Sequence, residues 1–159
     1  MEVSEEDAKI FLDEFNNLLE ALRGENFGIE IFLHNTQLAL PMFIPGFGVG
    51  WGIFSAFSTG YAFAALATTE PLLTQMPPIT MIFATPFGLM ELASYAIAMS
   101  RSFILVVSII KKHPTLIQWR QIAIEVGIVI GLLLVGGVIE AYMIETFAGA
   151  EDPFSKIKM

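Results

Sequence analysis

The sequence predicts an all-α protein, a polytopic bundle of transmembrane helices with an amphipathic helix at its N-terminal end. Three observations carry this prediction. The 159-residue chain is 55 % hydrophobic, with a mean hydropathy of +0.67, well above the balance of a water-soluble domain. Nine of its sixteen acidic residues lie at or before Glu30. From Ile31 to Thr69 there is no Asp, Glu, Lys or Arg. An uncharged apolar run of about 18 residues is enough for one spanning helix, and this one is long enough for a hairpin. A soluble helical core would need a polar face for water, which most of these segments lack.

Residues 1–27 form the amphipathic unit, 28–148 the membrane bundle and 149–159 a polar tail. Ser4 and Asp7 make a capping box, and acids crowd the first turn, where the helix dipole favours them. Phe11, Phe15, Leu18, Leu19 and Leu22 fall on one stripe. Arg23 and Gly24 are stop signals. This helix is too polar to span, and its acidic face would be repelled by anionic lipid. It is expected to pack on the bundle or on a partner. The acidic start lacks the basic region and apolar run of a signal peptide.

The first membrane segment, Gly28 to Ile44, carries Glu30, His34, Asn35 and Gln37 and is interrupted by Pro41 and Pro45. Val49 to Thr69 is a second span whose Gly52, Ser55, Ala56, Ser58, Gly60 and Ala64 permit close helix contact. Prolines mark Glu70 to Pro78 as a loop. Ile79 to Ile110 reads as two elements broken at Thr85-Pro86-Phe87-Gly88. The first of these is short or re-entrant, which requires protein to cover its backbone. Lys111, Lys112, His113, Pro114 and Arg120 form the one basic loop, which the positive-inside rule places in the cytoplasm. Ile122 to Thr146 is the last span, with a Gly127-x-x-x-Gly131 face. The count is four to five membrane segments. With the N-terminus cytoplasmic as well, the number of crossings before Lys111 must be even. The polar tail is expected to be disordered.

Composition excludes several functions. A net charge of −8 argues against a nucleic-acid partner, which requires clustered cations. The absence of cysteine removes disulfides, thiolate metal sites, cysteine nucleophiles and palmitoylation. No catalytic triad order, phosphate loop or nucleotide fingerprint is present, so no enzymatic activity is expected.

Any chemistry must use the few polar residues inside apolar segments, where a charge costs several kcal/mol. Glu30, Glu125 and Glu145 lie near span ends and read as solvated. The remaining candidates are His34, Asn35, Glu91, Arg101 and Glu140. On one helix Glu91 and Arg101 are too far apart to pair with each other, so Arg101 would meet Glu140, or a Glu91 on another chain or helix. Three uses are open: a buried structural role, in which Glu91 or Glu140 pairs with Arg101 or hydrogen-bonds with His34, Asn35 or Tyr142; a divalent metal held by His34, Glu91 and Glu140; or an ion pathway past Glu91, Glu140 and Arg101. The metal reading lacks any HExxH or ExxH spacing. No cofactor is otherwise implied.

Four segments are similar to the stage II sporulation protein M family. They are Ile31-Phe32-Leu33-His34-Asn35, Thr59-Gly60, Thr85-Pro86-Phe87-Gly88-Leu89-Met90-Glu91 and Gly137-Val138-Ile139-Glu140-Ala141, and the resemblance covers roughly Gly28 to Phe147. The family shows a polar Asn in the first span, a Pro-His-Gly-x-x-Glu segment and a Glu in the last helix. This chain departs from it by having Phe87 in place of the histidine, so an imidazole-dependent site would be altered here. The resemblance implies a multi-span cell-membrane protein acting as a scaffold or complex subunit. The sporulation member resembles an anchor that recruits peptidoglycan-degrading partners, and relatives occur where neither spores nor peptidoglycan are made. The expected partners are lipid and either other membrane proteins or further copies of the chain.

Overall fold

Proline and glycine set the helix boundaries of this chain. The computed structural model describes residues 8–13, 17, 26–69, 78–112 and 118–150, and the regular structure among them is entirely helical. The capping box at Ser4, the stop at Gly24, most of the Glu70 to Pro78 loop, His113, Pro114 and the tail beyond 150 lie outside the described residues.

Helix α1, Phe27–Ala39, passes into a one-turn 3-10 segment, Leu40–Phe43, with Pro41 in its first turn. Pro41 has no N–H to donate to the preceding turn, and the Leu38 carbonyl accepts from Trp51 Nε1 at 3.0 Å. Together the two segments rise about 28 Å, close to the ~30 Å thickness of a hydrocarbon core. Ile44 is extended and Gly46 is left-handed at φ +80°, a conformation glycine adopts without steric cost. The chain reverses there into α2, Phe47–Thr69. The Gly48 N–H donates to Ile44 O at 2.8 Å, tying the turn to the new helix.

The expected break in Ile79 to Ile110 falls at Thr85. Helix α3, Pro78–Ala84, is seven residues long, and α4 runs Pro86–Ile110. Thr85 is extended, its hydroxyl accepts from the Gly88 N–H, and Pro86 sits in the first turn. This is the combination of cap and proline that starts a helix. Helix α5, Trp119–Ala150, completes the bundle. Among the described residues, α4 and the Trp119–Ile144 stretch of α5 are long and apolar enough to cross a membrane.

α5 packs along both α1 and α4. Ala39 clusters with Val129 and Leu133, and Phe27 and Ile31 with Ala141, so α1 and α5 are antiparallel. They approach most closely at Gly28 and Gly137, where a Cβ on Gly137 would lie 2.9 Å from Gly28 O and 3.0 Å from Phe32 N. α4 and α5 are also antiparallel, with Gly136 beside Met90. Gly127 and Gly131, the anticipated contact face, have nothing among the described residues within 4 Å of where a Cβ would lie. On α2 only part of the small-residue face packs: Gly52 and Ser55 are buried, with Gly52 against Met99, whereas Ala56 and Ser58 are exposed and Gly60 is open.

The start of α2 lies by the end of α4. Ser102 Oγ donates to Ile44 O at 2.7 Å, and Val106 is the nearest neighbour of Gly46. At the far end of α2, Ala65 packs with Ala8 and Leu12, and Phe11 meets Tyr61 edge-on at 5.4 Å. The amphipathic stripe therefore packs on the bundle over its described part. Segment 8–13 and Lys111 lie at opposite ends of the molecule.

Buried polar groups are tolerated where the helix itself satisfies them. Ser94 and Ser108, both on α4, donate to Met90 O and Ile104 O of the preceding turn, which leaves no unpaired donor in an apolar setting.

Candidate functional site

Two polar layers cross the bundle, one near the middle and one toward the end that carries Lys111. Each is built by one residue spacing on α4. Glu91, Ser94, Tyr95, Ala98, Arg101, Ser102, Leu105 and Ser108 recur at intervals of three and four, so they share one helical face, and it is turned into the protein.

The first layer joins three helices. Asn35 of α1, 7 % exposed, donates its side-chain N–H to Glu91 Oε1 of α4. Glu140 of α5 lies within electrostatic range of Glu91, and Tyr95 lies within range of both carboxyls. Glu140 Oε2 and Thr36 Oγ1 are buried without a hydrogen-bond partner among the described residues. Two acids side by side in an apolar bundle repel each other when both are ionised. Asn35 supplies one of the donors that make such a layer tolerable.

The second layer is an ion pair. Arg101, 5 % exposed, donates from Nε to Glu125 Oε2 at 2.6 Å and from Nη2 to Glu125 Oε1, with Gln121 Oε1 at 3.5 Å. This two-point geometry is the strongest carboxylate contact available to arginine.

The structure gives Arg101 a partner that the sequence does not assign to it. Arg101 meets neither Glu91 nor Glu140, because ten residues of helix separate it from Glu91 by about 15 Å. The antiparallel register that sets Gly136 beside Met90 sets Glu125 beside Arg101. Glu125 is accordingly a half-buried partner of an arginine, not a solvated end residue. His34 stands apart from the two acids with which it would form a metal set. His34 is exposed on α1, turned about 100° from its neighbour Asn35 by the helical repeat. It does not join Glu91 and Glu140, and no group of three His, Cys, Asp or Glu residues suited to a metal occurs among the described residues.

Tyr95 was legible in principle, since it stands one turn beyond Glu91 on the same face. Glu125 had a weaker signal. It and Arg101 both lie within about three turns of the loop joining α4 to α5, so antiparallel pairing brings them to similar depth. Thr36 carried no signal.

Asn35→Leu is expected to lower the detergent melting temperature, because it leaves the Glu91 carboxyl without its donor, at a cost of about 1–3 kcal/mol. His34→Leu, one residue away on the exposed face, is expected to leave it unchanged. Equal melting of the two variants would contradict the assignment of Asn35 to the layer.

Two long apolar helices, serines bonded back to their own turns and internal polar layers are features that suit a helical membrane protein. A sequence model of the family described as Stage II sporulation protein M matches residues 2–143, and the chain belongs to that family. No curated protein and no solved structure matches it. The matched residues include Asn35, Glu91 and Glu140 of the first layer, and Phe87, in the first turn of α4, has its carbonyl facing Gly136.

Proposed function

We propose that this chain is a non-enzymatic membrane scaffold, a subunit of a multi-protein membrane complex. The observation that carries the reading is the outer face of α5. Gly127 and Gly131 are open, and Ile124, Ile128, Leu134, Val135 and Val138 are all more than 40 % exposed on the same helix. Small residues flanked by branched ones suit close approach of another transmembrane helix. The internal contacts of α5 use a different glycine pair, Gly136 and Gly137, so the fold does not require Gly127 or Gly131 to be glycine. A pathway using Glu91, Glu140 and Arg101 together fits less well, because Arg101 is bound in the other layer.

The crossings we infer are α1 with its 3-10 turn, α2, α4 and α5, with α3 as a short element dipping into the membrane. Seven helical residues rise about 10 Å, too little to span. Three crossings then precede the basic loop. With that loop cytoplasmic, segment 8–13 lies on the other side, whereas the sequence reading puts the N-terminus and the loop on the same side.

The test is purification of tagged protein from its native membrane in mild detergent, with mass spectrometry of the co-purifying chains. Stoichiometric partners are expected. Gly127→Leu combined with Gly131→Leu is expected to release them without lowering the melting temperature. A solitary monomer, or turnover or ion flux by the purified chain alone, would overturn the reading.

A further inference from the structure

We infer that the α4–α5 end of the bundle binds the headgroups of anionic phospholipids in the leaflet it faces. The inference rests on α4 and α5 crossing the membrane and goes beyond the scaffold role.

The charge distribution points there. The chain has a net charge of −8 and eight Lys and Arg residues in all. Three of these, Lys111, Lys112 and Arg120, are exposed at this one end, at the C-terminus of α4 and the first turn of α5. The acid closest to them in sequence, Glu125, is occupied by Arg101. None of the three cations has an ion-pair partner among the described residues. Lys112 also holds a left-handed backbone at φ 52°, which turns the chain out of the helix immediately after Lys111.

The surroundings match a headgroup more closely than a soluble anion. Trp119 is 76 % exposed beside Arg120, and Ile109 and Ile110, 60 % and 73 % exposed, precede Lys111. On α4 apolar side chains give way to cations at this end, and on α5 an exposed indole stands beside the cation in the first turn. Cations and an indole at the end of an apolar helix pair are the side chains suited to the headgroup level of a bilayer. Gln118 and Gln121, both exposed, add neutral donors at the same level. Each cation near an anionic surface contributes roughly a fivefold preference at moderate salt, and the attraction weakens as salt rises.

The test uses the full chain in nanodiscs containing equal phosphatidylglycerol and phosphatidylcholine. Native mass spectrometry of the released protein counts the lipids that stay bound. Enrichment of phosphatidylglycerol by at least about fivefold is expected, falling in 0.5 M salt. The variant K111Q/K112Q/R120Q is expected to lose the enrichment, and K111R/K112R to keep it. Lys9→Gln, which neutralises a cation at the other end, is expected to change nothing. Wild-type protein that retains both lipids equally would overturn the inference, as would a triple variant that still prefers phosphatidylglycerol. A chain that fails to enter nanodiscs of any composition would instead overturn the crossing of α4 and α5, on which the site depends.

Discussion

Glu125→Gln is expected to be among the most damaging single substitutions in this protein, and more damaging than Arg101→Gln. The two partners are unequally buried, with side-chain exposures of 6 % for Arg101 and 26 % for Glu125. Removing the carboxylate leaves a guanidinium that is only 6 % exposed without its counter-charge, and breaking a buried pair in this way costs about 3–5 kcal/mol. Removing the arginine leaves a carboxylate that can turn toward solvent, so the loss should be smaller. Thermal unfolding in detergent reads the difference. A drop of roughly 10 °C is expected for Glu125→Gln at a few degrees per kcal/mol. The double variant R101L/E125L should recover much of it, since apolar replacement of both partners is often neutral. Equal melting of the two single variants would contradict the burial asymmetry. A double variant no more stable than Glu125→Gln would contradict the ion-pair account.

The second large effect is expected at Gly48. A Cβ there would overlap the Met42 carbonyl and lie 2.8 Å from Ser102 Oγ. The Met42 carbonyl belongs to the 3-10 turn, which Pro41 and the left-handed Gly46 hold in place. Ser102 is fixed by its own bond to Ile44 O. No flexible side-chain end is available to yield, so Gly48→Ala should cost about 3 kcal/mol, the upper end for overpacking. Gly52→Ala gives the contrast. Its Cβ would meet the Met99 side chain, whose thioether can rotate away, and the expected loss is below about 1 kcal/mol. Gly127→Ala, in open space, should be neutral in detergent. Yield of monodisperse protein and melting temperature check the order, and a Gly48→Ala variant as stable as Gly127→Ala would refute the close packing of the turn on α2.

Much of the architecture was written locally. The uncharged run from Ile31 to Thr69 and the low charge thereafter determined that the chain enters a membrane, because desolvating a charge is so costly. Pro41, Pro45 with Gly46, and Thr85-Pro86 determined where helices end, because a missing N–H or a left-handed φ acts within one turn. The short list of internal polar residues, Asn35, Glu91, Arg101 and Glu140 among them, was equally plain. Tertiary structure alone decided how they are used. It paired Arg101 with Glu125, brought Asn35 and Glu140 to Glu91, left His34 outside, and gave the helix contacts to Gly28 and Gly137 and not to Gly127 and Gly131. It also placed segment 8–13 and Lys111 at opposite ends of the bundle. Each of these outcomes depends on the axial register and rotation of one helix against another. Those are fixed by contacts between residues far apart in sequence, and a step of one residue turns a side chain by about 100° and changes its partner.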